Sequence, residues 1–260
     1  MSLLFQRLSV YLAEFWFCLC SGYALRDKVV LLIETASFHV RHHRPGRMIE
    51  AVVRIGSLRP SLRLRSYGGD MFIFHEVLRC RVYDFPSEKL PQAPRVILDL
   101  GANIGLTTLT LAARFPDAHI VCVEPHPENA RLLRHNLRCL EGRVTIIEAA
   151  VSDRSGMLEL ALDVEHYNAS LVRQSERSVR VKVLTPEDVL RRAGVEAADL
   201  VKMDIEGTEH QLLVGKPAWL KPVQVLLAEL HGPHQKEMIG WLEDDGFHLQ
   251  VDGGQVLAWR

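Results

Sequence analysis

The 260-residue chain lacks the features that mark several large classes of protein. Its five cysteines are odd in number and include no C-x-x-C pair, which argues against a disulfide framework or a zinc cluster and favours a reducing cytoplasm. The formal net charge is −1, so the chain as a whole offers no strong field for nucleic acid. No internal repeat is present. The length allows one substantial α/β core with an N-terminal extension, but hardly two catalytic domains.

Long uninterrupted apolar runs are also missing. The N-terminal segment is apolar around Tyr11 and Trp16, but Arg7 and Glu14 interrupt it, and no window of about twenty residues is free of charge. No positive segment precedes the apolar part, as one does in a signal peptide. We predict an amphipathic helix that packs on the catalytic domain or on a second copy of the chain, and peripheral membrane contact is the alternative.

A basic stretch over residues 39–65 contains seven arginines against one acidic residue, Glu50. Such a stretch is usually a solvated face. Binding of an anionic acceptor, a phosphate-bearing carrier or an acidic surface is the alternative. Aromatic residues are not interleaved with the arginines, so the stretch does not indicate a nucleic-acid partner.

The strongest functional signal is the segment 96–105, which reads VILDLGANIG. An apolar run stops at Asp99, and a turn from Gly101 through Asn103 to Gly105 leads into a helical pattern. The segment predicts a buried strand, a tight turn and a helix start, which let backbone approach a nucleotide-like ligand. An acidic strand end opposes the pyrophosphate of a dinucleotide. It suits S-adenosylmethionine (SAM), whose ammonium and sulfonium groups are cationic, so the segment favours SAM over NAD.

A second acidic residue follows the next predicted strand. Glu124 comes about twenty residues after the glycine turn, and Pro125 stops the strand. A carboxylate at this place can accept hydrogen bonds from both hydroxyls of a ribose. Acidic residues often end strands, but together with the preceding turn Glu124 indicates a nucleoside site.

These segments resemble the FkbM family of SAM-dependent methyltransferases. The resemblance covers roughly residue 70 to the C-terminus and rests on DLGANIG at 99–105, EP at 124–125, AAVSD at 149–153 and VKMDIEGTE at 201–209. The last motif is fairly specific to this family, whereas the first two occur in many methyltransferases. Thr208 stands where the family usually has Ala. The resemblance implies a class I methyltransferase fold, a Rossmann-like α/β fold with a seven-stranded sheet.

The alternation of strand and helix patterns predicts the same parallel sheet with helices on both faces. Strands are predicted near 95–100, 119–124, 143–149, 199–204 and 224–230. A glycine turn between alternating runs at 247–251 and 255–259 predicts a C-terminal antiparallel hairpin, which dehydrogenase sheets normally lack.

A polar, proline-rich segment at 86–94 separates two parts of the chain. We predict an accessory region over 1–85, with helices and a small hairpin of residues 61–65 and 71–74, and a SAM-binding methyltransferase domain over 86–260. Alternating runs at 157–162 and 179–184 predict two further strands. The polar loop of residues 163–178 between them is long enough to cover an active site. Residues 168–171 resemble a family segment near the acceptor, and a mobile surface loop is the alternative.

The ends of the parallel strands are where a ligand should lie. Asp99 and the 101–105 turn are expected beside the methionine part of SAM, and Glu124 at its ribose. Ala150, Val151 and Asp153 are expected near the adenine. For Asp153, a role in stabilising its own turn is equally open.

The catalytic candidates follow the later strands. Asp204 ends the fourth strand, which places it beside the transferable methyl group, and Glu206 follows. His231 is a second candidate base, because it follows the fifth strand and an ordinary histidine titrates near neutral pH. Asp204, Glu206 and Glu229 could alternatively hold a divalent ion such as the Mg²⁺ of related sugar methyltransferases.

The family implies the expected function, which is O-methylation of a hydroxyl on a sugar, a glycan or a natural product. An N-directed or macromolecule-directed methyltransferase is the nearest alternative, and a non-catalytic SAM-fold binding module is another. The expected partner is a small-molecule or glycan acceptor. Self-association and peripheral membrane contact through the N-terminal segment both stay open.

Overall fold

The computed structural model describes residues 3–40, 46–66, 69–161 and 178–260, with the side chains of residues 3–7 left out. The helices are Leu3–Ser21 (α1), Leu25–Val40 (α2), Asp70–Phe74 (α3), Leu106–Arg114 (α4), Pro127–Asn136 (α5), Pro186–Ala193 (α6), Glu209–Leu213 (α7) and Gln235–Asp244 (α8), with a π-helical turn at His75–Cys80 and 3₁₀ turns at Ser87–Lys89, Arg138–Leu140 and Ala218–Leu220. The strands are Met48–Val52 (β1), Ser61–Arg65 (β2), Val96–Leu100 (β3), His119–Val123 (β4), Val144–Ile147 (β5), Ala150–Val151 (β6), Gly156–Ala161 (β7), Ser178–Leu184 (β8), Leu200–Met203 (β9), Val225–Glu229 (β10), His248–Asp252 (β11) and Gln255–Trp259 (β12).

The central sheet has seven strands in the order β11-β12-β10-β9-β3-β4-β5. Five of them are parallel, and the pair β11–β12 is antiparallel and joins the sheet through β10. β3, β4, β9 and β10 are almost wholly buried because helices cover both faces, whereas β5 at the edge of the sheet is only partly buried. The predicted fold class is confirmed, including the C-terminal hairpin, and the strand bounds agree with the predicted ones within a few residues.

A smaller sheet lies beside the central one and consists of β6, β8 and β7 in that order. β7 and β8 pair antiparallel, so the two alternating runs at 157–162 and 179–184 do form strands, as predicted. Apart from Ser178, the predicted loop between them, with residues 168–171, lies outside the described residues.

The predicted hairpin of residues 61–65 and 71–74 is wrong. β2 pairs antiparallel with β1, and residues 71–74 belong to helix α3. The helix starts after Gly69, which has a left-handed backbone conformation with a φ of 80°. Met71 and Phe74 of this helix are both buried. A spacing of three between buried residues suits a helix and not a strand, whose faces alternate every second residue.

The arginines of the basic stretch are bonded to other groups of the accessory region. Arg47 pairs with the buried Glu34, Arg63 with Glu50, and the guanidinium of Arg54 donates to the carbonyl oxygens of Gly22 and Tyr23. Arg65 is only 1% exposed. Arg47, Arg54, Arg59 and Arg63 are exposed, so the described part of the stretch is the solvated face that was expected, with its side chains bonded to neighbouring groups. Arg41 and Arg44 lie outside the described residues.

The N-terminal helices share a hydrophobic core with the central sheet. Cys18 of α1 and Leu31 of α2 are fully buried and belong to the same cluster as Ile97 of β3 and Leu109 of α4. The opposite face of these helices is apolar and exposed, with Leu12, Trp16, Leu25 and Ile33 each more than half accessible. Among the described residues, none of the helices has the length and apolar character needed to cross a bilayer.

Candidate active site

A pocket opens at the carboxyl ends of β3, β4 and β9, where open α/β sheets bind their ligands. Its lining is Gly101, Asn103, Val123, Glu124, Pro125, Asn129, Ala149, Ala150, Val151, Asp204, Ile205, Glu206 and Thr208. The structure thus brings together most of the residues that the sequence nominated for cofactor binding and for catalysis.

Gly101 forms the floor of the turn and cannot carry a side chain. Its φ is 77°, and a Cβ atom built on it would lie 1.8 Å from the carbonyl oxygen of Asp204. The close approach sets the glycine turn directly against the end of β9. Asn103, also at positive φ (50°), directs its backbone N–H to Oε2 of Glu124 at 2.9 Å.

The carboxyl group of Glu124 is 4% exposed and held from several sides. Its Oε1 accepts the backbone N–H of His126 at 2.9 Å and the side-chain N–H of Asn129 at 3.3 Å. Burial raises the pKa of Glu124 to about 7, although these hydrogen bonds favour the ionised form. The result is an acid with a fixed orientation that titrates near neutral pH.

Asp99 does not line the pocket, which corrects the expectation that its carboxylate faces the methionine part of the cofactor. It is fully buried, and its Oδ2 accepts the hydroxyl of Thr108 at 2.6 Å. Nζ of Lys202 lies 3.5 Å from its Oδ1. The charge of Asp99 is therefore balanced within the protein, and its contact is with Lys202.

Gly105 and Asp153 also lie away from the lining. A Cβ on Gly105 would meet Leu133 of α5 at 2.8 Å, so this glycine serves the packing of α4 against α5. Asp153 accepts the hydroxyl of Ser152 at 3.2 Å and pairs with Arg154 at 3.4 Å, which is the turn-stabilising alternative.

Asp204 sits on the pocket wall between a hydroxyl donor and an ammonium group. Tyr83 donates its hydroxyl to Oδ2 of Asp204 at 2.9 Å, and Nζ of Lys202 lies 3.8 Å from the same oxygen. Burial and the charge of Asp204 raise the pKa of Tyr83, so its hydroxyl stays protonated. Burial alone would lower the pKa of Lys202, but Asp99, Asp204 and Glu124 outweigh it and the pKa is raised. Both neighbours are therefore suited to an ionised Asp204.

His231 lies among three glutamates beside the pocket. Its Nδ1 is 2.9 Å from Oε1 of the fully buried Glu209, while Nε2 is 3.8 Å from Glu206 and 3.7 Å from Glu229. The hydrogen bond to Glu209 and the surrounding charges raise the pKa of His231 to about 9. The sequence analysis relied on an ordinary histidine pKa, whereas here the imidazole holds its proton at neutral pH.

Asp204, Glu206 and His231 have donor atoms within 4.8 Å of one another, which makes them a candidate metal-binding group. Glu229, which the sequence analysis grouped with the two acids, contacts His231 instead. Mg²⁺ prefers oxygen ligands, and an imidazole suits a transition metal better. The donor set is therefore a poor match for magnesium, the alternative that the sequence analysis left open.

Three pocket-supporting residues were missed by the sequence analysis or given no role. Glu209 accepts the backbone N–H groups of Ile205 and Gly207 and so shapes the loop that carries Glu206. The hydroxyl of Thr208 donates to the carbonyl of Val151 at 3.0 Å. These two lie in the 201–209 motif, but Tyr83 lies 121 residues from Asp204 and no local pattern pointed to it.

The sheet order and the pocket define the class of protein. The sheet is parallel and ends in an antiparallel hairpin. A glycine turn follows the first strand of the domain, and the enclosed acid Glu124 follows the next strand. This is the architecture of a class I SAM-dependent methyltransferase.

The family follows from comparison with known proteins. A model of the methyltransferase FkbM domain matches residues 99–249, and the chain belongs to this family of SAM-dependent methyltransferases. It is 28% identical over 152 residues to the 2-O-methyltransferase NoeI of Sinorhizobium fredii, covering 52% of this chain and 62% of NoeI. It is 30% identical over 220 residues to methyltransferase sdnD of Sordaria araneosa, covering 70% of this chain and 83% of sdnD. It is 25% identical over 229 residues to the 31-O-demethyl-FK506 methyltransferase FkbM of Streptomyces tacrolimicus, covering 74% of this chain and 86% of that protein. The match thus spans less than two thirds of NoeI.

Proposed function

We propose that the protein transfers the methyl group of SAM to a hydroxyl oxygen of a sugar, a glycan or a natural product. The names of NoeI and of the Streptomyces relative describe O-methylation, which supports this reaction class. The observation that carries the proposal is Asp204, a carboxylate on the pocket wall held by Tyr83 and Lys202. A neutral hydroxyl is a poor nucleophile, and a positioned base of this kind can take its proton.

The pocket residues suit the parts of SAM. Glu124 has lone pairs for the two ribose hydroxyls, Ala150 and Val151 offer an apolar wall for the adenine, and Gly101 lines the pocket where the methionine part would lie. When bound, SAM supplies an electrophilic methyl group on its sulfonium. The chain's own contribution is to orient the acceptor against that methyl group, which can be worth roughly 7–11 kcal/mol.

Asp204 is our first candidate for the base, and His231 the second. His231 keeps its proton at neutral pH because of Glu209, so it cannot take another unless it first gives that proton away. Beside Glu206, a protonated His231 is suited to hold an acceptor oxygen by hydrogen bonding. Because the donor set is a poor match for Mg²⁺, the proposed reaction uses side chains of the protein alone.

The test is Asp204→Asn, which keeps volume and hydrogen bonding but removes the charge. We expect SAM binding, measured by calorimetry, to stay nearly intact while conversion of SAM to its demethylated product falls about 10²–10⁴-fold with a panel of sugar and polyketide hydroxyl acceptors. Asp153→Asn is the matched control, because Asp153 lies off the pocket lining, and it should turn over at the parent rate.

Three results would count against this assignment. Turnover of Asp204→Asn at the parent rate would make His231 the leading base. Loss of parent activity on chelation, restored by Mg²⁺, would support metal assistance against our interpretation of the donor set. SAM binding without methylation of any hydroxyl acceptor, but with methylation of an amine or a macromolecule, would favour the alternative substrate classes.

The cellular location, self-association and membrane contact of the protein are proposals as well. All five cysteines are free thiols, and a cytoplasmic location stays a prediction. The exposed apolar face of α1 and α2 is compatible with a second copy of the chain and with peripheral membrane contact, and both stay predictions.

A further inference from the structure

Two histidines and a glutamate converge on the surface outside the pocket, where α7 meets the start of α8. Nε2 of His210 lies 3.3 Å from Oε2 of Glu237, and Nδ1 of His234 lies 3.2 Å from the same oxygen. The two imidazole rings are 4.4 Å apart between centroids, and His210 also packs against Trp241 at 5.0 Å. The cluster therefore joins two helices that are separate in sequence.

The spacing of these donor atoms matches that of ligands around a small transition-metal ion. In a tetrahedral site with metal–nitrogen and metal–oxygen bonds of about 2.0–2.1 Å, neighbouring ligand atoms lie about 3.3 Å apart. The separations of 3.3 and 3.2 Å agree with this value, and all three donor atoms fall within 4.8 Å of one another. No large rearrangement is needed to place an ion between them.

We propose that His210, His234 and Glu237 form a binding site for a divalent transition-metal ion of the zinc type. Two imidazoles and one carboxylate are ligands that zinc accepts, whereas Mg²⁺ and Ca²⁺ prefer all-oxygen sets. The three side chains are between 33% and 55% exposed, so an ion can enter from solvent and water can fill the fourth position.

The position of this site gives the ion a structural role next to the active site. A hydrogen bond between Glu209 and His231 orients the imidazole beside the pocket. His210 directly follows Glu209 in the sequence, and His234 comes three residues after His231. A bound ion cross-links α7 to the loop between β10 and α8, and so restrains both partners of that bond. The three proposed ligands are not part of the pocket lining.

The first measurement is a titration of the full chain, freed of metal, with Co²⁺, whose tetrahedral complexes have visible absorption bands that zinc removes by competition. We expect saturable binding by the parent and at least about tenfold weaker binding by His210→Ala/His234→Ala and by Glu237→Gln. His248→Ala is the control, because His248 is an exposed histidine elsewhere, on β11, and it should bind like the parent.

The second measurement is thermal unfolding with Zn²⁺ as the only added metal. At about a hundredfold excess over Kd, the parent should melt roughly 5 °C higher, and the double variant should not respond. Circular dichroism shows whether each variant folds, and Glu237→Gln provides a second test if the double variant does not. Undiminished binding in the folded variants would show that the ion binds elsewhere, for which Asp204, Glu206 and His231 are the next candidates. Either that result or a parent that binds neither metal would overturn the proposal.

Discussion

At the scale of the residue, the enclosed acid Glu124 links burial to ligand binding. Its pKa rises from the ordinary 4.5 to about 7 because burial disfavours the charged form. Between these two pH values the Glu124 carboxyl group loses its proton in the unfolded chain and keeps it in the folded protein without SAM. The contribution of Glu124 to the stability of the empty protein therefore falls as the pH rises from about 4.5 to 7, and is constant above that range.

We predict that SAM affinity depends on pH through Glu124. An ionised carboxylate accepts from both ribose hydroxyls, so affinity should rise with pH through about 7, by up to about tenfold per pH unit below it. Glu124→Ala should weaken SAM binding roughly ten- to a hundredfold at pH 8, because hydrogen bonds to a charged group contribute about 1.5–3 kcal/mol. Calorimetry at several pH values measures both effects.

In Glu124→Ala, SAM affinity should also lose the pH dependence that the parent shows near pH 7. Glu141→Ala is the control, because Glu141 is an exposed acid in the loop before β5, and it should follow the parent curve. Equal affinities of the parent and Glu124→Ala at every pH would remove Glu124 from the cofactor site.

At the scale of the element, Arg65 forms a buried ion pair inside the accessory region and a hydrogen bond to the catalytic part. Arg65 at the end of β2 is 1% exposed, and its Nη2 donates to Asp70 of α3 at 2.7 Å and to Asn129 of α5 at 2.8 Å. Asn129 in turn donates to Glu124, so the hairpin contacts the pocket through two side chains.

We predict that Arg65→Ala destabilises the protein by about 3–5 kcal/mol, because it removes the buried guanidinium that balances the charge of the buried Asp70. Arg63→Ala, two residues away, removes an ion pair with Glu50 in which both side chains are 45% exposed, and should cost less than about 1 kcal/mol. Urea denaturation of the two variants provides the comparison. Similar free energies of unfolding for both would show that the buried pair contributes no more than an exposed one.

The parts of this architecture that could be predicted from sequence are those set by local patterns. Apolar runs that end in an acid or a glycine turn located the five parallel strands and the residues Gly101, Glu124 and Asp204. The pairing of β2 with β1 could not be predicted because nothing local distinguishes one partner from another. The charge balance of Asp99 by Lys202 and the hydrogen bond from Tyr83 also depend on residues that only the folded chain brings together.

At the scale of the whole molecule, the N-terminal helices complete a core that begins in the central sheet. Phe17 of α1 packs on Phe74 at 5.6 Å between ring centroids. Thr35 of α2 joins Cys18 of α1 to His75 by hydrogen bonds of 3.2 and 3.0 Å. These contacts are buried, so removing the helices uncovers apolar surface.

We predict that deleting residues 1–37 promotes aggregation, because a large newly exposed apolar surface favours association. Size-exclusion chromatography and light scattering measure the outcome. Trp16→Ser is the control: Trp16 is 68% exposed, so its replacement should leave folding unchanged within about 0.5 kcal/mol. A deletion variant that stays monodisperse and active would show that the helices serve a separate purpose.

The hydrogen bond from Tyr83 to Asp204 has a consequence for protein engineering. The proline-rich segment after residue 85 is an obvious crossover point for chimeras that combine the N-terminal region of one relative with the catalytic domain of another. In this protein such an exchange also replaces the hydroxyl that holds Asp204. A chimera that changes acceptor preference could therefore owe the change to position 83 alone, and restoring tyrosine there would reveal it.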